Sequence, residues 1–220
     1  IIFYYKEIED AESKQDDFGG LIKEFLSYQT EQKGQIFQKI HEFLKEKNLY
    51  KKYKYIGIFD DDLVCSFSGL NEIISIAKEY KLDSFQPSLT KDSFFSYDFT
   101  LKKENTLIHY VKWVEIMAPI YDSNLFRLSA SFFKGNISGW GFDCYVFPII
   151  SRINSYSRHA VIDKVSISHI RKIRSDKVRF SNGLNAWEEK EKLRNLMISF
   201  LEKNYLNLLV YEDVNSILGL

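Results

Sequence analysis

An apolar, aromatic-rich run, Tyr55-Ile56-Gly57-Ile58-Phe59, stops at three consecutive carboxylates, Asp60, Asp61 and Asp62. No other stretch constrains the chain as much. A run of this kind reads as a buried strand. Side chains along a strand alternate between faces, so Asp60 and Asp62 are expected on one side and Asp61 on the other. Two carboxylates sharing one side at a strand end are hard to keep ionised without a cation. Hard oxygen donors suit Mg²⁺ or Mn²⁺, ions that recruit substrate phosphates to complete their shells. A solvated acidic turn would use the same residues, because Asp is common where strands end.

The flanking pattern places this stretch in a fold. Residues 1–5 read as a strand, residues 7–17 as a charged loop, and residues 18–28 as a helix, with Phe18, Leu21, Phe25 and Tyr28 at helical spacing. Residues 35–47 form a stronger amphipathic pattern, with Ile36, Phe37, Ile40, Phe43 and Leu44 on one stripe. Beyond the acids, residues 68–80 predict a helix and residues 84–89 a strand. Strands alternating with helices predict an α/β fold with a mixed, mostly parallel central sheet flanked by helices. Ligands in such sheets bind beyond the carboxyl ends of the strands, where the acids lie.

The middle of the chain changes character. Residues 94–99 and 107–119 are aromatic and β-branched and predict antiparallel strands around a charged turn at 102–105. Residues 123–133 predict a helix, 135–141 a glycine-bearing loop and 142–154 another helix. Short strands at 160–163 and 165–168 lead to His169, and a turn is expected at 181–183. Residues 184–218 are helical in pattern, broken near 204–207. A catalytic domain over 1–183 and a helical C-terminal extension over 184–220 are therefore expected. The apolar side of that extension offers a dock for a second copy or for a preceding domain. The leading Ile1 implies that the N-terminus is incomplete.

Composition removes several functions. Lys and Arg number 30, as do Asp and Glu, so the chain lacks the basic surplus of a general nucleic-acid binder. No apolar run approaches the ~18 residues of a transmembrane helix. Cys65 and Cys144 stand far apart in no metal-ligand spacing, which points to a reducing, cytoplasmic setting without a disulfide framework.

Further candidates accompany the acids. In Gly139-Trp140-Gly141-Phe142-Asp143, two glycines let the backbone turn tightly beside a tryptophan. Asp143 there either complements a helix dipole or serves as a general base. His169 is either structural or a partner for a carboxylate pair on Mn²⁺. Lys33, ahead of a helix, is either solvated or close to a phosphate. Arg171, Lys172 and Arg174 are either a wet surface or counter-charge for a diphosphate.

The order of these signals carries more than any one of them. Phe59-Asp60-Asp61-Asp62, then Gln86-Pro87-Ser88, Glu115-Ile116-Met117-Ala118-Pro119, Trp140-Gly141-Phe142-Asp143, Ile162-Asp163-Lys164-Val165 and His169 resembles nucleotide-sugar glycosyltransferases of the GT-A fold. The resemblance is greatest to a little-characterised glycosyltransferase-like family of bacteria and plants, and covers roughly residues 53–171. It implies that Asp60 and Asp62 touch the donor ribose and hold a Mn²⁺ or Mg²⁺ ion on the diphosphate, with Asp61 beside them and His169 completing the metal shell. It implies Asp143 as the base that deprotonates a glycan or other hydroxyl acceptor with inversion. Trp140 and Gly141 would line the donor sugar and acceptor, Lys33 would lie near the nucleotide, and surface polysaccharide synthesis would be the setting. Related galactosyltransferases carry two adjacent acids after Trp-Gly-x, whereas Cys144 follows Asp143 here, which leaves a retaining mechanism open.

Two rival readings use the same residues. Asp60-x-Asp62-x-Val64 matches the nucleophile motif of haloacid-dehalogenase-like phosphatases, with Asp60 attacking a phosphoryl group and Lys164 as the downstream lysine. A carbohydrate-binding domain without turnover is the other.

Overall fold

The computed structural model describes residues 2–4, 25–27, 30–172 and 178–205. The loop expected at 7–17 and the second C-terminal helix lie outside the described residues. Strands β1 (Ile2–Tyr4) and β2 (Phe25–Ser27) pair in parallel as a small sheet. Residues 25–27 are thus extended where helical spacing predicted a helix, an ambiguity inherent in short apolar runs.

Helix α1 (Lys33–Glu46) buries the whole predicted stripe from Ile36 to Leu44. It ends where Asn48 adopts a φ of 53°, a left-handed turn that Asn tolerates. Strand β3 (Tyr55–Gly57) follows, then β4 (Leu63–Val64) and α2 (Phe67–Glu79), whose first turn is capped by the Ser66 hydroxyl accepting from Gly69 N. Strand β5 (Ser84–Leu89) is buried throughout. The segment expected as two antiparallel strands is mostly irregular: a 3₁₀ turn at Asp98–Thr100 and one short strand, β6 (Ile108–Tyr110), are its regular parts. Its aromatics instead pack on each other, with Tyr97 and Phe99 both edge-on to Trp113 at 4.8 Å.

Strand β7 (Ile120–Asp122) runs into α3 (Ser123–Ser129), capped by Asp122. A π-turn at Phe142–Val146 opens α4 (Phe147–Ile153). The two short strands expected before His169 are one strand, β8 (His159–His169). Helix α5 (Ala186–Asn204) begins at a capping box of Asn185 and Glu188.

The strand order is β3-β7-β5-β8-β4, with β6 also beside β8. This corrects the expectation of a mostly parallel sheet: the six-stranded sheet is mostly antiparallel, and β5–β8 is its parallel pair. The physical reason lies in the middle segment. Strands β3 and β5 both run antiparallel to β7, so they share a direction, and β8 runs parallel to β5. Strands β3, β5 and β8 therefore do point the same way, while β4 and β7 run against them. The sequence pattern could not reveal that β7 returns to lie between two of them.

The carboxyl ends of β3, β5 and β8 consequently share one edge of the sheet, and there the acids emerge. One layer of the core packs α1, α3, α4 and α5 against the sheet, with Phe37 fully buried among Phe126, Phe133, Phe142 and Phe147. Each such ring contributes roughly 1.5–3 kcal/mol on burial. Helix α5 lays Leu193, Met197 and Leu201 into this same layer. On the other face α2 contributes Ile73, Ile76 and Ala77.

Candidate functional site

Pairing of β3 with β7 continues past the regular strand. Ile58 N donates to Pro119 O and Asp60 N to Met117 O, both at 3.0 Å, so Asp60 lies opposite Met117 in the same register. The chain then turns at Asp61 and Asp62 and enters β4. That turn separates the three acids. Asp60 faces Lys33 at 2.7 Å, Asp62 faces His169 at 3.3 Å, and exposed Asp61 faces Arg171 at 3.5 Å. Simple strand alternation had put Asp60 and Asp62 on one side; the turn gives them different partners.

Lys33 is buried, and its ammonium has three acceptors: Asp60 Oδ1, the carbonyl of Ile116, and the carbonyl of Met117 at 3.1 Å. Three acceptors match its three hydrogens. The same short segment binds two carboxyls. Ile116 N donates to Asp143 Oδ2 at 3.3 Å, and Met117 N to Glu115 Oε2 at 2.9 Å. Asp60, Lys33, Glu115 and Asp143 are thus joined through residues 115–117.

Both buried carboxyls hold their protons more tightly than usual. Desolvation raises Asp143, with Lys190 partly opposing it. Glu115 is pushed up to about 8, by desolvation first and by the neighbouring Asp143 second. Glu115 was not among the expected site residues. Its signal was a lone carboxylate inside an apolar run, a placement that is costly unless the group is paired or neutral.

His169 completes the other end. Its Nδ1 lies 2.6 Å from the carbonyl of Phe94, which only accepts, so Nδ1 carries a hydrogen. Its Nε2 then points at Asp62 Oδ2. The second oxygen, Asp62 Oδ1, is buried and has no hydrogen-bond partner among the described residues. A carboxylate with an unused oxygen beside an imidazole nitrogen offers lone pairs of the kind that a divalent cation takes. Among the described residues no group of three His, Cys, Asp or Glu side chains stands in ligand geometry.

The Trp140 loop is fixed from two sides. Gly34 N donates to Ile137 O at 2.8 Å, and a Cβ on Gly34 would sit 2.5 Å from Asn136 O and 2.6 Å from Gly139 N, so only glycine fits. From α5, buried Glu189 accepts from Ile137 N at 2.8 Å and Ser138 N at 2.7 Å. Nothing in the local sequence distinguished Glu189 from a first-turn acid complementing the helix dipole. Gly141, at φ 94°, packs on Leu193 and Tyr145. Trp140 meets Trp187 edge to face at 5.2 Å. Lys164 lies exposed in mid-β8, five residues before His169, and a cavity of about 530 Å³ lined by Lys45, Lys51 and Arg127 opens beside the amino end of β3, away from the acids.

Searches against protein-family models, curated proteins and solved structures find no match to this chain. No helix among the described residues is long and apolar enough to cross a membrane.

Proposed function

We propose that this protein is a metal-dependent glycosyltransferase of the GT-A type, acting in the cytoplasm and moving a sugar from a nucleotide-diphosphate donor to a glycan or other hydroxyl acceptor. The observation that supports this reading most is the buried, unpartnered Asp62 Oδ1 beside His169 at the carboxyl edge of the sheet. Two protein ligands suit Mg²⁺ or Mn²⁺, which keep open positions for substrate phosphates. Asp62 and His169 would hold the ion, with Asp60 alongside, and it would supply counter-charge to a leaving diphosphate. The hydrogen on His169 Nδ1 is the one that frees Nε2 for such a role.

The remaining steps belong to the chain itself. Asp143, desolvated and raised in proton affinity, takes the acceptor hydroxyl proton as that oxygen attacks the anomeric carbon from the opposite face. Its oxygens accept from the backbone N–H groups of Ile116 and Cys144, and the Cys144 thiol is a further donor that holds the carboxyl in place. Trp140 would line the donor sugar and acceptor, and Arg171 adds positive charge near Asp61. The phosphatase reading is less well supported, because the lysine at Asp60 is Lys33 and its three hydrogens are already engaged.

The test is a thermal-shift panel of nucleotide-sugars with and without Mn²⁺. A Mn²⁺-dependent shift with at least one donor is expected, lost in Asp62→Ala. Asp143→Asn should keep the shift and lose transfer. Acyl-phosphate formation on Asp60 without any donor response would overturn the proposal in favour of the phosphatase.

A further inference from the structure

We propose that Trp187, in the first turn of α5, is a stacking platform for a pyranose ring of the acceptor glycan; the assignment to the acceptor rests on the transfer reading above. Trp187 is 49% exposed although it is among the largest apolar side chains in the protein. It is nevertheless fixed. Its indole stands edge to face on Trp140, with an interplanar angle of 81°. Lys190 Nζ lies 5.1 Å from its ring centroid and 5.7 Å from that of Tyr145. The first turn that carries it is locked by the Asn185–Glu188 capping box and by the Glu189 clamp on Ile137 and Ser138. A rigid, half-exposed indole gives binding area at little entropic cost.

The surroundings point to a sugar. The negative face of an indole attracts the weakly positive C–H groups of a pyranose, and a neighbouring ammonium donates to hydroxyls. Trp187, Trp140 and Lys190 form that combination, one loop residue away from the Gly141-to-Asp143 turn. A nucleobase would stack equally well on an indole. However, the Trp140 loop and the Asp62–His169 end, where a diphosphate would bind, are different parts of the site, linked through Gly34, Lys33, Asp60 and residues 115–117. The tryptophan corner is therefore on the acceptor side.

The experiment compares wild type, Trp187→Ala and Trp187→Phe by NMR of the indole N–H signals. One arm titrates gluco-, galacto- and manno-configured oligosaccharides, the other UDP and GDP with Mn²⁺. At least one oligosaccharide should bind the wild type and bind Trp187→Ala about tenfold more weakly, with partial recovery in Trp187→Phe and unchanged nucleotide affinity. Absence of oligosaccharide binding to the wild type at about 10 mM, equal binding by Trp187→Ala, or selective loss of nucleotide binding would each overturn the platform. Oligosaccharide binding through Trp187 without any nucleotide binding would uphold it as a sugar site and sink the transfer reading alone.

Discussion

Strand β8 contributes to two carboxylate–imidazole pairs, and they differ in one respect. In the first, Asp163 is fully buried, lies 2.7 Å from His109 Nδ1 and accepts from Thr106 Oγ1 at 2.8 Å and Lys103 N at 2.8 Å, while His109 Nε2 faces the carbonyl of Phe99. Both carboxylate oxygens are used, and both ring nitrogens face acceptors. In the second, His169 Nε2 lies 3.3 Å from Asp62, whose other oxygen has no partner among the described residues. The first pair ties the 103–109 segment to the sheet and is complete as a piece of fold. The second is incomplete as a piece of fold, and the missing partner is the reason to look for a ligand there. An unpaired buried acceptor costs free energy that a stability-driven arrangement would have removed.

Substituting the two aspartates is the strongest way to break this comparison. Asp163→Ala strands His109 and the Lys103 amide in a buried site and should cost about 3–5 kcal/mol in urea denaturation. Asp62→Asn removes a charge that the fold does not fully satisfy and should change stability by no more than about 1 kcal/mol. Equal, large losses in both variants would mean that Asp62 is structural and would remove the main support for the metal reading.

Glu115 sharpens the comparison by pH. Its folded pKa, about 8, lies above the ordinary 4.5 of the unfolded chain. A raised carboxyl binds its proton more tightly when folded, so its contribution is full below pH 4.5 and is lost as pH rises to about 8. Stability should therefore fall across that window, by up to about 1.4 kcal/mol per pH unit from this one group. Glu115→Gln should flatten the slope. An unchanged slope in Glu115→Gln would place the titration elsewhere.

Much of this was legible in the sequence, for identifiable reasons. The stripe from Ile36 to Leu44 buries as its spacing predicts, and β5 occupies residues 84–89 as expected. Periodicity encodes which face is apolar, and these segments depend on little else. The shared direction of β3 and β5 was legible but adjacency was not, because β7 pairs across more than thirty intervening residues with β5 and more than sixty with β3. The turn that parts Asp60 from Asp62 depends on β4 pairing with β8, again a distant partner. Among site residues, Lys33, Asp60 and Asp143 do come together around residues 115–117, and Asp62 meets His169. The backbone amides and carbonyls that join them carry no side-chain signature, and Glu189 holds the Ile137 and Ser138 amides of the Trp140 loop from a helix fifty residues away.

The smallest expected effect concerns the third acid. Asp61 and Arg171 are 3.5 Å apart with side chains 61% and 55% exposed. Such a pair is screened by water and salt and contributes roughly 0–1 kcal/mol, so Arg171→Ala should leave stability within about 0.5 kcal/mol of wild type. Its consequence should appear elsewhere. If Arg171 supplies counter-charge to a bound diphosphate, the variant should bind nucleotide-sugar several-fold more weakly at low salt, and the difference should shrink as ionic strength rises. Asp61→Ala should move donor affinity in the opposite direction, because it removes the anion that competes with phosphate for the guanidinium. Parallel weakening in both variants would mean that the pair acts as a structural strut, and Asp61 would then support the turn that follows β3 rather than merely face solvent.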